Sequence, residues 1–169
     1  MSLVTPVDPQ AEVADLQMIS SNVLGDVIMP LHARMRLTTP LFGLPDHPEY
    51  ALLPAARAGL WWLQAMNDPG IAFILADPFV LDPDYVIDLG DVERDSLGIT
   101  EEADAFALVM LTLPATDSDA VTANFRAPLV FNLREQRGLQ IVARNDTYTL
   151  RTPVELSSLP PQPDGVRMQ

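Results

Sequence analysis

The sequence predicts a mainly β fold: an antiparallel, partly open β-barrel of about ten short strands with one or two short helices. Three observations predict it. Apolar runs of strand length recur along the chain: LQMISS, GDVIMP, RMRLTTPLF, EYALLPA, LWWLQAM, IAFILA, DYVIDL, FALVMLTL, APLVFNL, LQIVA and YTLRTPV. Clusters of Asn, Asp, Gly and Pro (DHPE, NDPG, DPD, TDSD, RND) separate them, and strands at intervals of roughly 8 to 12 residues with such turns are the pattern of barrels and sandwiches. The chain also holds 16 prolines, which disfavour long helices because each lacks a backbone N–H and clashes with the preceding turn.

Taken in order, residues 1–15 are rich in Pro, Asp and Gln, bury little, and read as a flexible N-terminal tail. The single folded domain is expected over 16–156. In the third run, Arg34, Arg36 and Thr38 alternate with Met35, Leu37 and Thr39, giving one wet and one drier face. Trp61 and Trp62 are adjacent, so on a strand they point to opposite faces. Trp61 shares its face with Leu63 and Ala65 and reads as core; Trp62 shares its face with Gln64 and is either covered by a loop or an exposed anchor for a partner. IAFILA and FALVMLTL are apolar on both faces, which requires the opposite barrel wall inside and a helix, loop or partner outside. Between them, Asp91 to Leu97 is the best helix, with Asp88 or Asp91 as N-cap, Gly98 at the C-terminal end and a turn starting at Thr100. Residues 157–169 form an expected flexible, Pro-rich tail, whose PPQP is short enough to stay solvated.

Composition narrows the function. With 169 residues the chain fits one domain, and a hydrophobic content of 48% is too high for a disordered chain. No apolar run reaches the roughly 20 residues of a membrane span. The first residues lack the basic start and apolar core of a secretory signal, so a cytoplasmic location is expected. Cys is absent, which excludes disulfides, thiol nucleophiles and Cys-based metal centres. The balance of 23 acids to 10 bases, a net charge of -13, opposes direct binding to nucleic acid, because counterion release requires cations.

The strongest charge feature runs from Asp77 to Asp104: ten acids, including Asp82, Asp84, Asp88, Asp91 and Glu93, with Arg94 as the sole base. Such a stretch either solvates a surface or steers a basic partner. A cluster of arginines, Arg126, Arg134, Arg137, Arg144 and Arg151, follows late in the chain and suggests an electrically lopsided molecule. As a calcium loop the acidic stretch fails, since DPFVLDPDYVIDL has prolines and β-branched residues where ligands and a bend Gly belong. Asp before Pro is instead a turn former, as is Asn67-Asp68-Pro69-Gly70. No metal and no cofactor are expected. His32 and His47 lie in Pro-containing turns without a nucleophile elbow or metal-binding context, so no catalytic residue is assigned. Asn124 and Asn132 bracket FRAPLVF and read first as partners of backbone groups at strand ends, second as contact residues.

The order GLP, an aromatic followed by LQ, then AF, DPF and a Tyr, then TAN, APLV and N, found here in GLPDHPEY, LWWLQAMNDPGIAFILADPF, DPDY and TANFRAPLVFN, resembles the flagellar assembly factor family FliW from about Leu16 to Leu156. The chain departs from the family pattern at Asp46-His47, where members more often carry Gly-Phe. The resemblance implies a non-enzymatic cytoplasmic regulator. Such a protein binds flagellin and, when flagellin is exported, binds and antagonises the translational regulator CsrA, relieving repression of flagellin mRNA. Charge and exposure then assign Asp82, Asp84, Asp88, Asp91 and Glu93 to the basic CsrA-like partner, and Trp62 and Asn124 to flagellin. Two other readings stay open: a carboxylate-dependent hydrolase on a β-barrel, with a deep pocket and converging acids of raised pKa, and a structural interaction module outside the flagellar circuit.

Overall fold

A computed structural model describes residues 15–116 and 120–159. Eleven strands are formed: β1 (Leu16–Ser21), β2 (Gly25–Pro30), β3 (Arg34–Leu37), β4 (Glu49–Pro54), β5 (Leu60–Ala65), β6 (Ala72–Ala76), β7 (Phe106–Thr112), β8 (Thr122–Ala123), β9 (Leu129–Asn132), β10 (Arg137–Gln140) and β11 (Thr152–Pro153). Two short helices, α1 (Pro78–Leu81) and α2 (Asp91–Leu97), interrupt them. Of the expected tails at 1–15 and 157–169, residues 1–14 and 160–169, PPQP among them, lie outside the described residues. At the near end of the C-terminal tail, however, Leu159 is buried to 2% exposure, and its carbonyl accepts from Arg57 Nη2 at 3.1 Å.

Seven strands close the barrel in the order β7-β6-β5-β4-β3-β10-β9, with β9 returning to β7. Six of these neighbouring pairs are antiparallel and one, β10 with β3, is parallel. The parallel pair departs from an all-antiparallel expectation for a topological reason: an odd number of strands cannot alternate direction all the way around a ring. Gln136, at φ 55, fastens this seam by donating from Nε2 to Leu31 O and Arg34 O at 2.9 and 2.8 Å. The barrel also splays. β7 pairs with β9 only over Phe106 to Leu108, then pairs with β8 over Leu111 and Thr112, leaving one corner open.

Alternation determines the interior. Met35 and Leu37, Tyr50 and Leu52, Leu63 and Ala65, and Leu129 and Phe131 sit two apart on their strands and meet inside with Leu75 and Leu108. Gly138 belongs to this packing: a Cβ there would lie 2.6 Å from the Phe131 ring and 2.9 Å from Leu37. Trp61 packs on the same cluster, edge-on to Phe106 at 5.3 Å, as expected of a core residue.

Three segments cover the outside of the wall. The β1–β2 hairpin lays Ile19, Val27 and Met29 over Ala51 and Leu53. The chain after β6, together with Phe125 and Leu159, covers Ala76 and Val109. Helix α2 covers Val130 and Ile141 with Leu97 and Ile99. The two-sided apolar runs of β6 and β7 therefore have cover on both faces. One predicted strand is missing: DYVIDL is irregular and pairs with no strand among the described residues, its Val86 N donating instead to the Tyr148 hydroxyl at 3.0 Å while the Val86 side chain is 65% exposed.

Candidate protein-docking surfaces

The acidic segment is shaped by its own side chains. Asp77 accepts from Phe79 N at 2.9 Å and caps α1, and Asp82 accepts from Asp84 N at 3.0 Å, so both Asp-Pro pairs act as turn formers. Asp68 does the same for Gly70 N at 2.9 Å. Tyr85 anchors the segment: its hydroxyl donates to Phe125 O at 2.7 Å, and its ring lies 4.9 and 4.6 Å from those of Phe125 and Tyr148. Burial, reinforced by Tyr148 and Asp82, pushes its phenol far above the usual tyrosine range.

Helix α2 matches its predicted bounds, with Gly98 in the left-handed conformation at φ 69. Its N-cap is Gly90, not Asp88 or Asp91, and no side chain caps it. Asp91 is already inside the first turn, and Asp88 is turned to Arg144 at 3.6 Å. Beyond the helix, Asp104 and Glu101 form a reciprocal cap; Asp104 accepts from Glu101 N and Thr100 N at 3.1 and 3.2 Å. Those backbone donors, with the Thr100 hydroxyl and Arg134, hold the Asp104 carboxyl below the usual range.

Between this segment and the β7–β9 wall runs a groove of about 450 Å³, lined mainly by Phe79, Val86, Ile87, Leu89, Ile99 and Val130, with Arg94 and Glu102 also on its walls. Asp84, Asp88 and Asp91 are exposed, and Asp82 and Glu93 half-buried, on the same stretch of chain that supplies the groove's apolar residues. None of the five acids assigned from charge lines the groove itself; they alternate in sequence with residues that do. Three of the five late arginines lie against the acidic segment, not apart from it. Arg144 pairs with Asp88, Arg134 with Asp104 at 3.1 Å, and Arg137 donates to Ser96 O at 3.3 Å, so late arginines fold back onto the acidic segment. Sequence order hid this, because β9 and β10 bring residues some 30 to 60 positions away beside α2. Exposed Phe79 and Val86 were also missed; the alternation in DYVIDL imitates a half-buried strand.

The two residues assigned to flagellin are not brought together. Trp62 is half-buried on the outside of β5, in a hollow of about 200 Å³ with Leu24, Val27, Leu53 and Ala55. Asn124 lines another hollow, with Phe42, Phe73, Met110 and Leu150, and the two share no lining residue. Asn124 Oδ1 accepts from Ala127 N at 2.9 Å, and buried Asn132 donates to Leu97 O and Gly98 O at 2.9 and 3.2 Å, so both serve backbone groups. Of the histidines, His32 is exposed, and His47 sits 3.1 Å from Asn67 Oδ1 and 4.0 Å from Asp68. Among the described residues no group of three His, Asp or Glu is placed to hold a metal ion, and no helix is long and apolar enough to cross a membrane.

Comparison with known proteins places this architecture. The profile of the FliW protein family matches residues 18–154. The chain is 31% identical over 130 residues to the flagellar assembly factor FliW of Treponema pallidum, covering 77% of this chain and 86% of that one. It is 33% identical over 130 residues to that of Geobacillus thermodenitrificans, covering 77% and 90%. A crystal structure of the flagellar assembly factor FliW superposes with a TM-score of 0.74 at 30% identity, over 81% of this chain and 96% of that chain. With a family match spanning the barrel, its covering hairpin and the acidic segment, this chain belongs to the FliW family of flagellar assembly factors.

Proposed function

We propose that this protein is a non-enzymatic, cytoplasmic regulator of flagellum assembly that binds flagellin and, once flagellin is exported, binds and antagonises CsrA, so that flagellin translation follows secretion. The observation that carries the reading is an apolar groove walled in part by the acidic segment, the stretch of chain that also carries Asp82, Asp84, Asp88, Asp91 and Glu93. A surface of this kind suits a basic RNA-binding protein such as CsrA: apolar area supplies affinity, and charge supplies rate and salt dependence. Trp62, half-buried in its own hollow, and Asn124, on another, are the positions assigned to flagellin.

Isothermal titration of the protein with the same organism's CsrA and flagellin, separately and in competition, at low and high salt, tests the scheme. Binding to both, with flagellin blocking CsrA, is expected. Asp82→Asn/Asp84→Asn keeps the turn-forming oxygens while removing two charges, and should weaken CsrA binding and flatten its salt dependence. Unchanged affinity and salt slope would remove these acids from the interface, and no binding to either partner would remove the regulatory role.

A further inference from the structure

The parallel seam has an electrostatic consequence. In the β3–β10 register, Arg137 is the direct Cα partner of Arg36. Neighbouring strands lie about 4.8 Å apart, so two guanidinium-bearing side chains leave the same face of the barrel side by side. Like charges directly opposite one another destabilise a sheet. Leu37 and Gly138, next along the two strands, point inward, which fixes both arginines on the outside. The pair opens onto a cleft of about 480 Å³, formed by Thr38 and Thr39 at the end of β3, Asp46 on the β3–β4 connection and Ser96 in the last turn of α2.

Neighbouring groups satisfy the pair only in part. Arg36 has a 69% exposed side chain, makes a 3.6 Å ion pair with Glu49 and, among the described residues, donates no side-chain hydrogen bond. Glu49 meanwhile takes the stronger contact from Arg34 at 2.6 Å. Arg137 uses one donor on Ser96 O at 3.3 Å. Most N–H donors of both guanidiniums are therefore free among the described residues, and so are the Thr38 and Thr39 hydroxyls beside them. In a chain of net charge -13, three cations, Arg34, Arg36 and Arg137, stand here against two acids, Glu49 and Asp46, and two of those cations share one cleft.

We propose that the Arg36–Arg137 cleft binds a carboxylate presented by a peptide, an acidic side chain or a chain end. Two guanidiniums on one cleft, each with donors to spare, offer charge-assisted hydrogen bonds to the oxygens of a carboxylate, a group for which Arg is suited. Asp46 on the same cleft can accept an amide N–H from the peptide that carries the carboxylate. A peptide carboxylate, which brings that N–H with it, is therefore preferred to phosphate. This site is separate from the acidic groove, and binding here does not depend on the identity of the partners proposed above.

The test follows the arginine Nε–H signals in NMR spectra of the full ¹⁵N-labelled chain at constant ionic strength. The probes are acetate, inorganic phosphate and a blocked Gly-Glu-Gly peptide. Arg36 and Arg137 signals should move together and saturate with acetate and peptide, with phosphate weaker than the peptide. Arg137→Gln should lower the peptide affinity about tenfold, the scale of one charge-assisted contact, while Gln can still donate to Ser96 O. Arg36→Gln gives the same reading should Arg137→Gln lose its fold by circular dichroism. Shifts no larger than those of exposed Arg151, or unsaturable ones, would overturn the site; phosphate binding more tightly than the peptide would overturn the carboxylate assignment.

Discussion

The barrel wall and the segment from Asp77 to Asp104 that crosses its outside both mix apolar and polar residues, yet they are held differently. In the wall, backbone pairs with backbone, and the interior consists of apolar side chains such as Phe131, Leu129 and Leu63 meeting across the ring. In the crossing segment the backbone is held largely by side chains: Asp77, Asp82, Asp104, Tyr148 and Asn132 each bond to main-chain atoms. The first kind of structure tolerates changes on its outer face and fails when its volume changes. The second buries few residues and fails at single polar atoms.

The comparison is tested most severely inside the ring. Phe131 is fully buried against residues of several strands, and Phe131→Ala should cost about 3 to 5 kcal/mol, measured by urea denaturation, with the whole chain losing its cooperative transition at lower denaturant. Leu97 is as buried as Phe131 but belongs to the crossing segment. Leu97→Ala should cost about 2 to 3 kcal/mol, the low end for a buried Leu, because α2 can settle onto Val130 and Ile141. Its signature should be local: amides of 91–99 exchange faster with deuterium while those of β4 and β5 keep their protection. Equal loss of protection in both regions would mean that segment and barrel unfold as one unit.

A smaller effect distinguishes the two kinds of bonding directly. Asn132 stands at the end of β9, buried, and its side-chain amide holds the last carbonyls of α2. Asn132→Ala should cost about 1 to 3 kcal/mol, since it leaves those carbonyls and Glu135 N without their partner. Asn124→Ala, which loses a bond to Ala127 N from a half-buried side chain, should cost less. The reverse order would indicate that the β8–β9 turn, not the α2 contact, fixes this corner of the barrel.

The wall was more legible in the sequence than the crossing segment, and the physics above explains why. Period-two alternation records which face of a strand is buried, so LQMISS and GDVIMP match β1 and β2, and EYALLPA and LWWLQAM contain β4 and β5. Closure was not legible: nothing in RMRLTT or LQIVA announces that β3 and β10 run parallel, because that follows from an odd ring. Helix α2 could be read from Gly98 and its acidic first turn, but its cap could not, since Asp88 is drawn away by Arg144, more than fifty residues later. Among the assigned residues, the five acids are neighbours because they are close in sequence, and none of them lines the groove. Trp62 and Asn124 came from exposure and strand-end arguments, and these carry no information about which residues share a surface.

The smallest expected effect concerns pH. Asp104 is held below the ordinary carboxylate range, first by the Glu101 and Thr100 amides and then by the Thr100 hydroxyl and Arg134. A carboxyl with a lower pKa folded than unfolded contributes stability that is present above its unfolded value, near 4, and is lost as pH falls through its folded value. Asp104→Asn keeps an oxygen for the backbone donors but does not titrate. Wild type should therefore lose stability more steeply than the variant below about pH 4, while the two curves run parallel between about pH 5 and 7. Thermal melts across that range decide it. Parallel curves down to low pH would mean that the turn after α2 is fixed by its backbone shape and not by the charge of Asp104, which would bring this part of the crossing segment closer in kind to the barrel wall.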